Sequence, residues 1–256
     1  MAHSLFDLSG QVALITGSSR GIGKAIAEQM AAAGAKVVIS SRKQEACDEV
    51  RDEIKARGGE AISIACNIGR KEEVEGLVKA TLGQMGRIDI LVCNAAVNPF
   101  YGSLMKLDDD AWDKIMDSNV KSSWWFCKLV APHMVERGSG NIILISSIGA
   151  FRSTSVLGAY GISKAADAQL ARNFALELGP KGIRVNAIAP GLVKTDFAKA
   201  LWSNPTILQN VEQRAPLRRI GQPVEIAGVA VFLASQAASF VTGQLIVADG
   251  GATLGD

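Results

Sequence analysis

Gln11-Val12-Ala13-Leu14-Ile15-Thr16-Gly17-Ser18-Ser19-Arg20-Gly21-Ile22-Gly23-Lys24-Ala25-Ile26-Ala27-Glu28-Gln29-Met30 is the stretch that decides the fold. Residues 11–16 form a short apolar run with the length and β-branching of a buried strand. A glycine-rich turn follows, and residues 24–30 then take up helical periodicity. Strand, glycine turn and helix make the first half of a βαβ unit. Glycines in such a turn allow a tight reversal, close approach of backbone to a pyrophosphate, and packing of helix on strand. The helix start then points its free N–H groups and positive dipole end at the phosphates. The spacing is G-x-x-x-G-x-G rather than G-x-G-x-x-G. Gly17, Ser19, Arg20, Gly21, Ile22 and Gly23 are therefore expected to face a dinucleotide.

Residues 36–40 read as the next strand, and its end is where an NAD-selecting site places Asp or Glu on the ribose 2′-hydroxyl. Here the sequence is Ser40-Ser41-Arg42-Lys43, with no carboxylate to repel a 2′-phosphate. Arg42, beside Ser41, can fork onto such a phosphate, and Arg20 can approach it from the glycine turn. The competing reading makes both arginines solvated surface charges. Acid absent and base present together favour NADP(H) over NAD(H).

Working outward, residues 61–66, 88–93, 141–146, 183–188 and 244–247 read as further strands. Helical stretches over about 43–56, 71–82, 109–136, 158–177 and 224–234 separate them. Short apolar strands alternating with helices imply a parallel sheet covered on both faces, an α/β doubly wound architecture. Ligands of such sheets bind beyond the C-terminal strand ends. The glycine turn, Asn67, Asn94, Ser147 and Pro190-Gly191 all lie at those ends.

The 256 residues suit one domain, and no proline- or serine-rich linker or internal repeat divides them. Hydrophobic residues make up 48%, yet no uncharged stretch is long enough to span a bilayer, so no membrane partner is expected. The net charge of +2 is dispersed and offers no case for nucleic acid. Met1-Ala2-His3-Ser4 and the residues after it lack the features of a signal peptide. Cys47, Cys66, Cys93 and Cys127 form no C-x-x-C and read as reduced thiols of a cytoplasmic protein. His3 and His133 give no metal-ligand spacing, so no metal is expected.

Tyr160-Gly161-Ile162-Ser163-Lys164 follows the strand that ends in Ser146-Ser147. A tyrosine loses its proton near pH ~10, too high for a shuttle at neutral pH. A lysine four residues on shares its helix face, and the positive charge favours the phenolate. A serine hydroxyl from the neighbouring strand can hold a substrate oxygen against that phenol. In isolation such a pair is more often a surface i,i+4 contact; its place after a nucleotide-binding half gives it chemical weight.

Together these motifs resemble the short-chain dehydrogenase/reductase family in its compact single-domain branch, from Thr16-Gly17 to Asp249-Gly250-Gly251. The resemblance implies a Rossmann-type seven-stranded sheet, a nicotinamide cofactor, and hydride transfer between a carbonyl and an alcohol. It implies Tyr160 as acid/base, Lys164 as its pKa modifier and ribose anchor, and Ser147 rather than Ser146 as holder of the substrate oxygen. Asn119, in Asp117-Ser118-Asn119-Val120, resembles the asparagine that positions a water in the proton relay. Pro190, Gly191, Val193 and Thr195 resemble the segment that clamps the nicotinamide carboxamide. Asn94 and Ala95 match the cofactor-facing turn after the fourth strand, where Ala96 replaces the family's glycine. Asn67, followed by Ile68, stands where the family usually has an acid against the adenine amino group.

Residues 1–256 are expected to form one NAD(P)-binding oxidoreductase domain, with a lid over about 192–221. Phe100, Phe151, Phe197 and Trp202, with Ser147 and Tyr160, suggest a pocket for a hydrophobic ketone, aldehyde or alcohol. Each of these aromatics could equally pack at an oligomer contact. Residues 94–105, with Trp112-Asp113-Lys114 and Ser40-Ser41-Arg42-Lys43, are similar to those of NADP-dependent carbonyl reductases and retinol dehydrogenases of animals. That subgroup usually ends in a peroxisomal tripeptide, whereas this sequence ends Leu254-Gly255-Asp256. The alternatives weighed are a 3-oxoacyl-acyl-carrier-protein reductase and, in another class, a non-catalytic nucleotide-sensing or scaffold protein. The resemblance also implies a homotetramer formed by the helices over 109–136 and 158–177.

Overall fold

A run such as Val12-Ala13-Leu14-Ile15-Thr16 is buried along its whole length because both faces of its strand are covered. The computed structural model describes residues 5–254. Met1 to Ser4, and with them His3, lie outside the described residues, as do Gly255 and Asp256 at the other end. The strands are β1 (Val12–Thr16), β2 (Lys36–Ser40), β3 (Ala61–Ser63), β4 (Ile90–Cys93), β5 (Gly140–Ile145), β6 (Ile183–Pro190) and β7 (Leu245–Ala248). They form a 7-stranded sheet in the order β3-β2-β1-β4-β5-β6-β7, every pair parallel. The expected sheet is thus present, with β3 shorter than the sequence suggests and β6 running on to Pro190.

Helices α1 (Gly21–Ala32), α2 (Gln44–Ala56) and α9 (Pro223–Ala234) cover one face. They pack on Ala13, Ile15, Val37, Ile39, Val92, Ile143 and Ile145. The other face carries α3 (Lys71–Met85), α5 (Ser122–Arg137) and α6 (Gly158–Leu178) on Leu14, Val38, Leu91, Ile142, Leu144 and Val185. Alternate residues of each strand therefore feed two separate cores, and each core fixes a different part of the cleft above. Among the described residues no helix is long and apolar enough to cross a membrane.

The single helix expected over 109–136 is instead two helices joined by a wider turn. α4 (Asp109–Met116) leads into a π-helical turn at Asp117–Lys121, and α5 follows without a break. Ser118 and Asn119 inside that turn are buried, and the hydroxyls of Ser122 and Ser123 donate to their carbonyls at 2.6 and 3.0 Å. Such back-bonding competes with the regular i→i−4 ladder and accompanies its distortion. Two short helices, α7 (Lys199–Trp202) and α8 (Pro205–Arg214), lie in the expected lid. Asn204 caps α8 by accepting the N–H groups of Thr206 and Ile207 at 3.0 and 3.2 Å.

Candidate active site

The strand order reverses between β1 and β4, and the glycine turn sits directly above that switch. Gly17 has φ +66°, and a Cβ there would stand 2.9 Å from the Ala95 Cα. A Cβ on Gly23 would collide with the Gly17 carbonyl, so α1 can approach the turn this closely only with glycine. Arg20 occupies the N-cap of α1 in extended conformation and makes no side-chain cap bond. The first-turn N–H groups, with the dipole behind them, are thus left for an anion. This cradle fits the pyrophosphate of a dinucleotide.

Residues the sequence did not single out hold the cradle. The Thr16 hydroxyl donates to the Val92 carbonyl at 3.3 Å and accepts the Asn94 and Ala95 N–H groups at 3.0 and 3.1 Å. Ser18 donates to the Ile15 carbonyl at 2.7 Å and accepts the Ser40 N–H at 2.9 Å. Asn94 turns its amide inward, donating to the carbonyls of Thr16 and Gly17 at 2.9 and 3.1 Å. It braces the turn from below rather than reaching over it. Arg218 is the one non-glycine residue with positive φ among the described residues, so Ala96 is accommodated without left-handed backbone.

At the end of β2, Ser41 meets the Cys47 thiol at 3.2 Å and Arg42 is exposed. Arg20 is 3.7 Å from Asp196, an exposed pair that joins the glycine turn to the segment after β6. Asn67 Oδ1 accepts the Gly69 N–H at 3.1 Å, which uses one of its two lone pairs; Ile68 beside it is half-buried.

Beyond the end of β5, the acid/base candidates converge. Lys164 is 3% exposed, and its ammonium lies 5.8 Å from the centre of the Tyr160 ring. Burial raises the Tyr160 phenol, Lys164 and Ser147 act to lower it, and Asp167 raises it. The lysine therefore pulls as the sequence suggests, but the net direction here is upward. Ser146 and Ser147 separate cleanly. Ser146 is buried and donates to the Lys164 carbonyl at 2.7 Å. Ser147 is half-buried, accepts the Gly149 N–H at 3.1 Å, and faces the phenol.

Asn119 reaches the same centre from the π turn. Its Oδ1 accepts the Val97 N–H at 2.8 Å, while Nδ2 donates to the Val97 carbonyl at 3.0 Å and to Ser163 Oγ at 3.0 Å. Ser163 passes the connection on, donating to the Tyr160 carbonyl at 2.7 Å. Ser163 was legible within Tyr160-Gly161-Ile162-Ser163-Lys164 as a hydroxyl between the two candidates.

The segment after β6 is pinned at its neck: Lys194 N–H donates to Gly221 and Gly221 N–H to Leu192, both at 2.9 Å. Val193 is buried there, and Thr195 Oγ1 accepts the Ala198 N–H at 3.3 Å. Pro190 closes β6, with Gly191 N–H donating to Ala248 at 3.0 Å. Of the four aromatics expected at a substrate pocket, Phe197 meets the tyrosine, ring centres 5.9 Å apart. Trp202 is tied to the neck, its indole donating to the Thr195 carbonyl at 2.7 Å. Phe100 folds its ring over Gly102, and Phe151 stands exposed beyond β5.

A dinucleotide cradle beside a tyrosine backed by a lysine defines, as a class, a nicotinamide-nucleotide-dependent oxidoreductase. Comparison with known proteins narrows this. Residues 17–253 match the family model described as enoyl-(acyl carrier protein) reductase. Dehydrogenase/reductase SDR family member 4 of Oryctolagus cuniculus is 47% identical over 245 residues, covering 96% of this chain and 94% of that protein. A gluconate 5-dehydrogenase from Burkholderia cenocepacia, solved in complex with NADP and tartrate, superposes with a TM-score of 0.96 at 33% identity over 100% of both chains. A 7α-hydroxysteroid dehydrogenase, solved with NADH and 7-oxo glycochenodeoxycholic acid, gives 0.93 at 40% identity over 96% of this chain and 95% of that one. The chain belongs to the short-chain dehydrogenase/reductase family. It is an NAD(P)H-dependent oxidoreductase acting on carbonyl and alcohol groups.

Proposed function

We propose that the protein interconverts a hydrophobic ketone or aldehyde and its alcohol, using NADP(H) in preference to NAD(H). The convergence of Tyr160, Lys164 and Ser147 above β5 is the observation that carries this reading. Ser147 and Tyr160 hold the substrate oxygen between their hydroxyls. In reduction Tyr160 gives its proton to that oxygen, and in the reverse direction the phenolate takes it back. Lys164 supplies the positive charge behind the phenol and keeps a donor for a ribose hydroxyl. Asn119 fixes residue 97 against α6, and with Lys164 it lines the route by which Tyr160 is reprotonated from solvent. Bound nicotinamide supplies or takes up the hydride.

The phosphates rest on the backbone of Gly17, Ser19, Gly21, Ile22 and Gly23. Ser41, Arg42 and Arg20 receive the 2′-phosphate, Asn67 and Ile68 flank the adenine, and Asn94 and Ala95 form the floor. Pro190, Gly191, Val193 and Thr195 clamp the carboxamide end. The segment over 192–221 is a lid, with Phe197 covering the tyrosine and Trp202 stiffening the neck; Phe100 and Phe151 complete the walls. Of the two solved relatives, one was bound to NADP and the other to NADH; base without acid at the end of β2 supports NADP(H) here.

A 3-oxoacyl-carrier-protein reductase is the second reading, which Arg152, Arg214, Arg218 and Arg219 leave open; of these, Arg214 and Arg218 are exposed within the 192–221 segment and Arg219 pairs with Glu225. A non-catalytic nucleotide sensor is disfavoured because Ser147, Tyr160 and Lys164 are all retained. Trp112, Trp124, Ile162 and Leu176 are exposed on α4, α5 and α6, which supports a homotetramer. Four unbonded, buried cysteines fit a reducing compartment such as the cytoplasm.

The test is nucleotide consumption over a panel of free aromatic ketones, aldehydes and an acyl-carrier thioester. NADPH and NADH are compared for the wild-type protein and Tyr160→Phe. We expect faster turnover of free ketones with NADPH, and a loss on the order of 10²–10⁴-fold in Tyr160→Phe with cofactor binding kept. Near-wild-type rates in the variant would sink the assignment, and preference for the thioester would favour the second reading.

A further inference from the structure

Beneath the tyrosine lies a group that the proposed proton transfer does not use. Asp167 is 2% exposed, and its Oδ2 accepts the Lys164 ammonium at 2.7 Å. Its other oxygen, Oδ1, is buried with no hydrogen-bond partner among the described residues. The ammonium gives a second donor to the Ile145 carbonyl at 2.9 Å, so one of its three remains. Tyr160, Lys164 and Asp167, spaced i, i+4 and i+7, share one face of α6.

Among the described residues no other charged side chain satisfies the pair. β4 contributes Cys93, whose thiol is pushed up by Cys127 and by burial and so stays neutral. α5 contributes Cys127 and Ser123, and the Ser123 hydroxyl, facing the same carboxylate, is spent on the Asn119 carbonyl. β5 contributes only the Ile145 carbonyl and the Ser146 hydroxyl, which points at the Lys164 carbonyl. A buried ion pair with one partner this short of hydrogen bonds is expensive to keep. An apolar residue at 167 would fill the same helix face without that cost.

We propose that Asp167 is a positioning residue for proton transfer. It fixes the Lys164 ammonium from below and cancels much of the charge Tyr160 would otherwise feel, keeping the tyrosine in the protonated form that carbonyl reduction consumes. The inference rests on Tyr160 and Lys164 acting as described under the proposed function. Asp167 takes no proton itself. The proton passes from the Tyr160 oxygen to the substrate oxygen, and solvent replaces it. The charge directions agree: Asp167 opposes the lowering of the phenol by Lys164, and it raises the lysine.

The chain has two tyrosines, so Tyr101→Phe leaves Tyr160 alone and its phenolate absorbance can be titrated without cofactor or substrate. In that background the Tyr160 midpoint is expected above the ordinary value near ~10. Asp167→Asn should move it to lower pH, and the acid limb of alcohol oxidation should move in the same direction. Asp167→Ala should do likewise, and Asp167→Glu should restore the parent profile. The overturning result is a midpoint unmoved or raised in Asp167→Asn and Asp167→Ala. Should both variants fail to fold, a midpoint moved to lower pH in Asp167→Glu, which keeps the carboxylate, overturns the proposal equally. The spectroscopic arm needs no turnover, so failure of the carbonyl assignment would show in Tyr160→Phe kinetics and not here.

Discussion

Replacing Thr16 by valine keeps the shape and β-branching of the side chain and removes one oxygen. That oxygen is 2%-exposed Thr16's acceptor for two backbone donors, from Asn94 and Ala95 at 3.0 and 3.1 Å, and the donor to Val92. Each buried N–H left without a partner costs about 1–3 kcal/mol. Asn94 and Ala95 are half-buried, so water recovers part of this and the low end applies, about 2–3 kcal/mol for the pair. Against a total stability of about 5–15 kcal/mol this is a large fraction. Thermal unfolding should fall by about 4–12 °C. Urea denaturation of Thr16→Val beside wild type measures the loss directly, and an unchanged slope keeps the comparison two-state. Because Asn94 also braces the Gly17 carbonyl, dinucleotide binding should weaken in the same variant. A loss below about 0.5 kcal/mol, within the range of ordinary surface changes, would refute the account of how the cradle is held.

Two further outcomes follow from burial and pairing. All four cysteines are buried and unbonded, and burial pushes the Cys66 thiol up to about 12. An aromatic disulfide reagent at mildly alkaline pH should therefore label the native protein slowly and all four thiols in denaturant; rapid native labelling would contradict it. Glu225, paired with Arg219 at 2.6 and 2.7 Å and accepting the Gln222 N–H, is held down to about 2. With its folded value depressed, its contribution is complete above the unfolded carboxylate value near ~4.3 and disappears as the pH falls toward 2. Carboxyl titration by NMR should show that low value and its return upward in Arg219→Ala; an ordinary value in the wild-type protein would remove the pairing from solution.

The sheet was legible because two-sided burial writes each strand as a continuous apolar run. Boundaries were less so. β3 stops at Ser63 because Ile64, although it still donates to Ile39, leads into a loop, and β6 gains Ala189 and Pro190 by pairing with β7. Tyr160, Lys164 and Ser147 could be found because helix period and strand end bring them to one place. Thr16, Ser18 and the Ile145 carbonyl could not. Their roles lie in backbone partners far along the chain, and backbone groups leave no mark in residue type. Asp167 did carry a signal: an acid on the lysine's face, one turn on, within an otherwise alanine-rich helix. Its significance needed burial, which composition does not give. The π turn at Asp117–Lys121 was hidden because its periodicity looks helical on both sides.

That turn has a consequence for how the chain can vary. An α-helix advances about 100° per residue, so a single extra residue rotates everything after it by that angle. The wide turn takes up such an extra residue locally, so α5 keeps its apolar face on the sheet while the buried Asn119 reaches Val97. Shortening the turn by one residue would close it into a regular helix and draw Asn119 away from Val97 and Ser163. The stretch is consequently open to exchange of side chains on its exposed side and closed to any change of length.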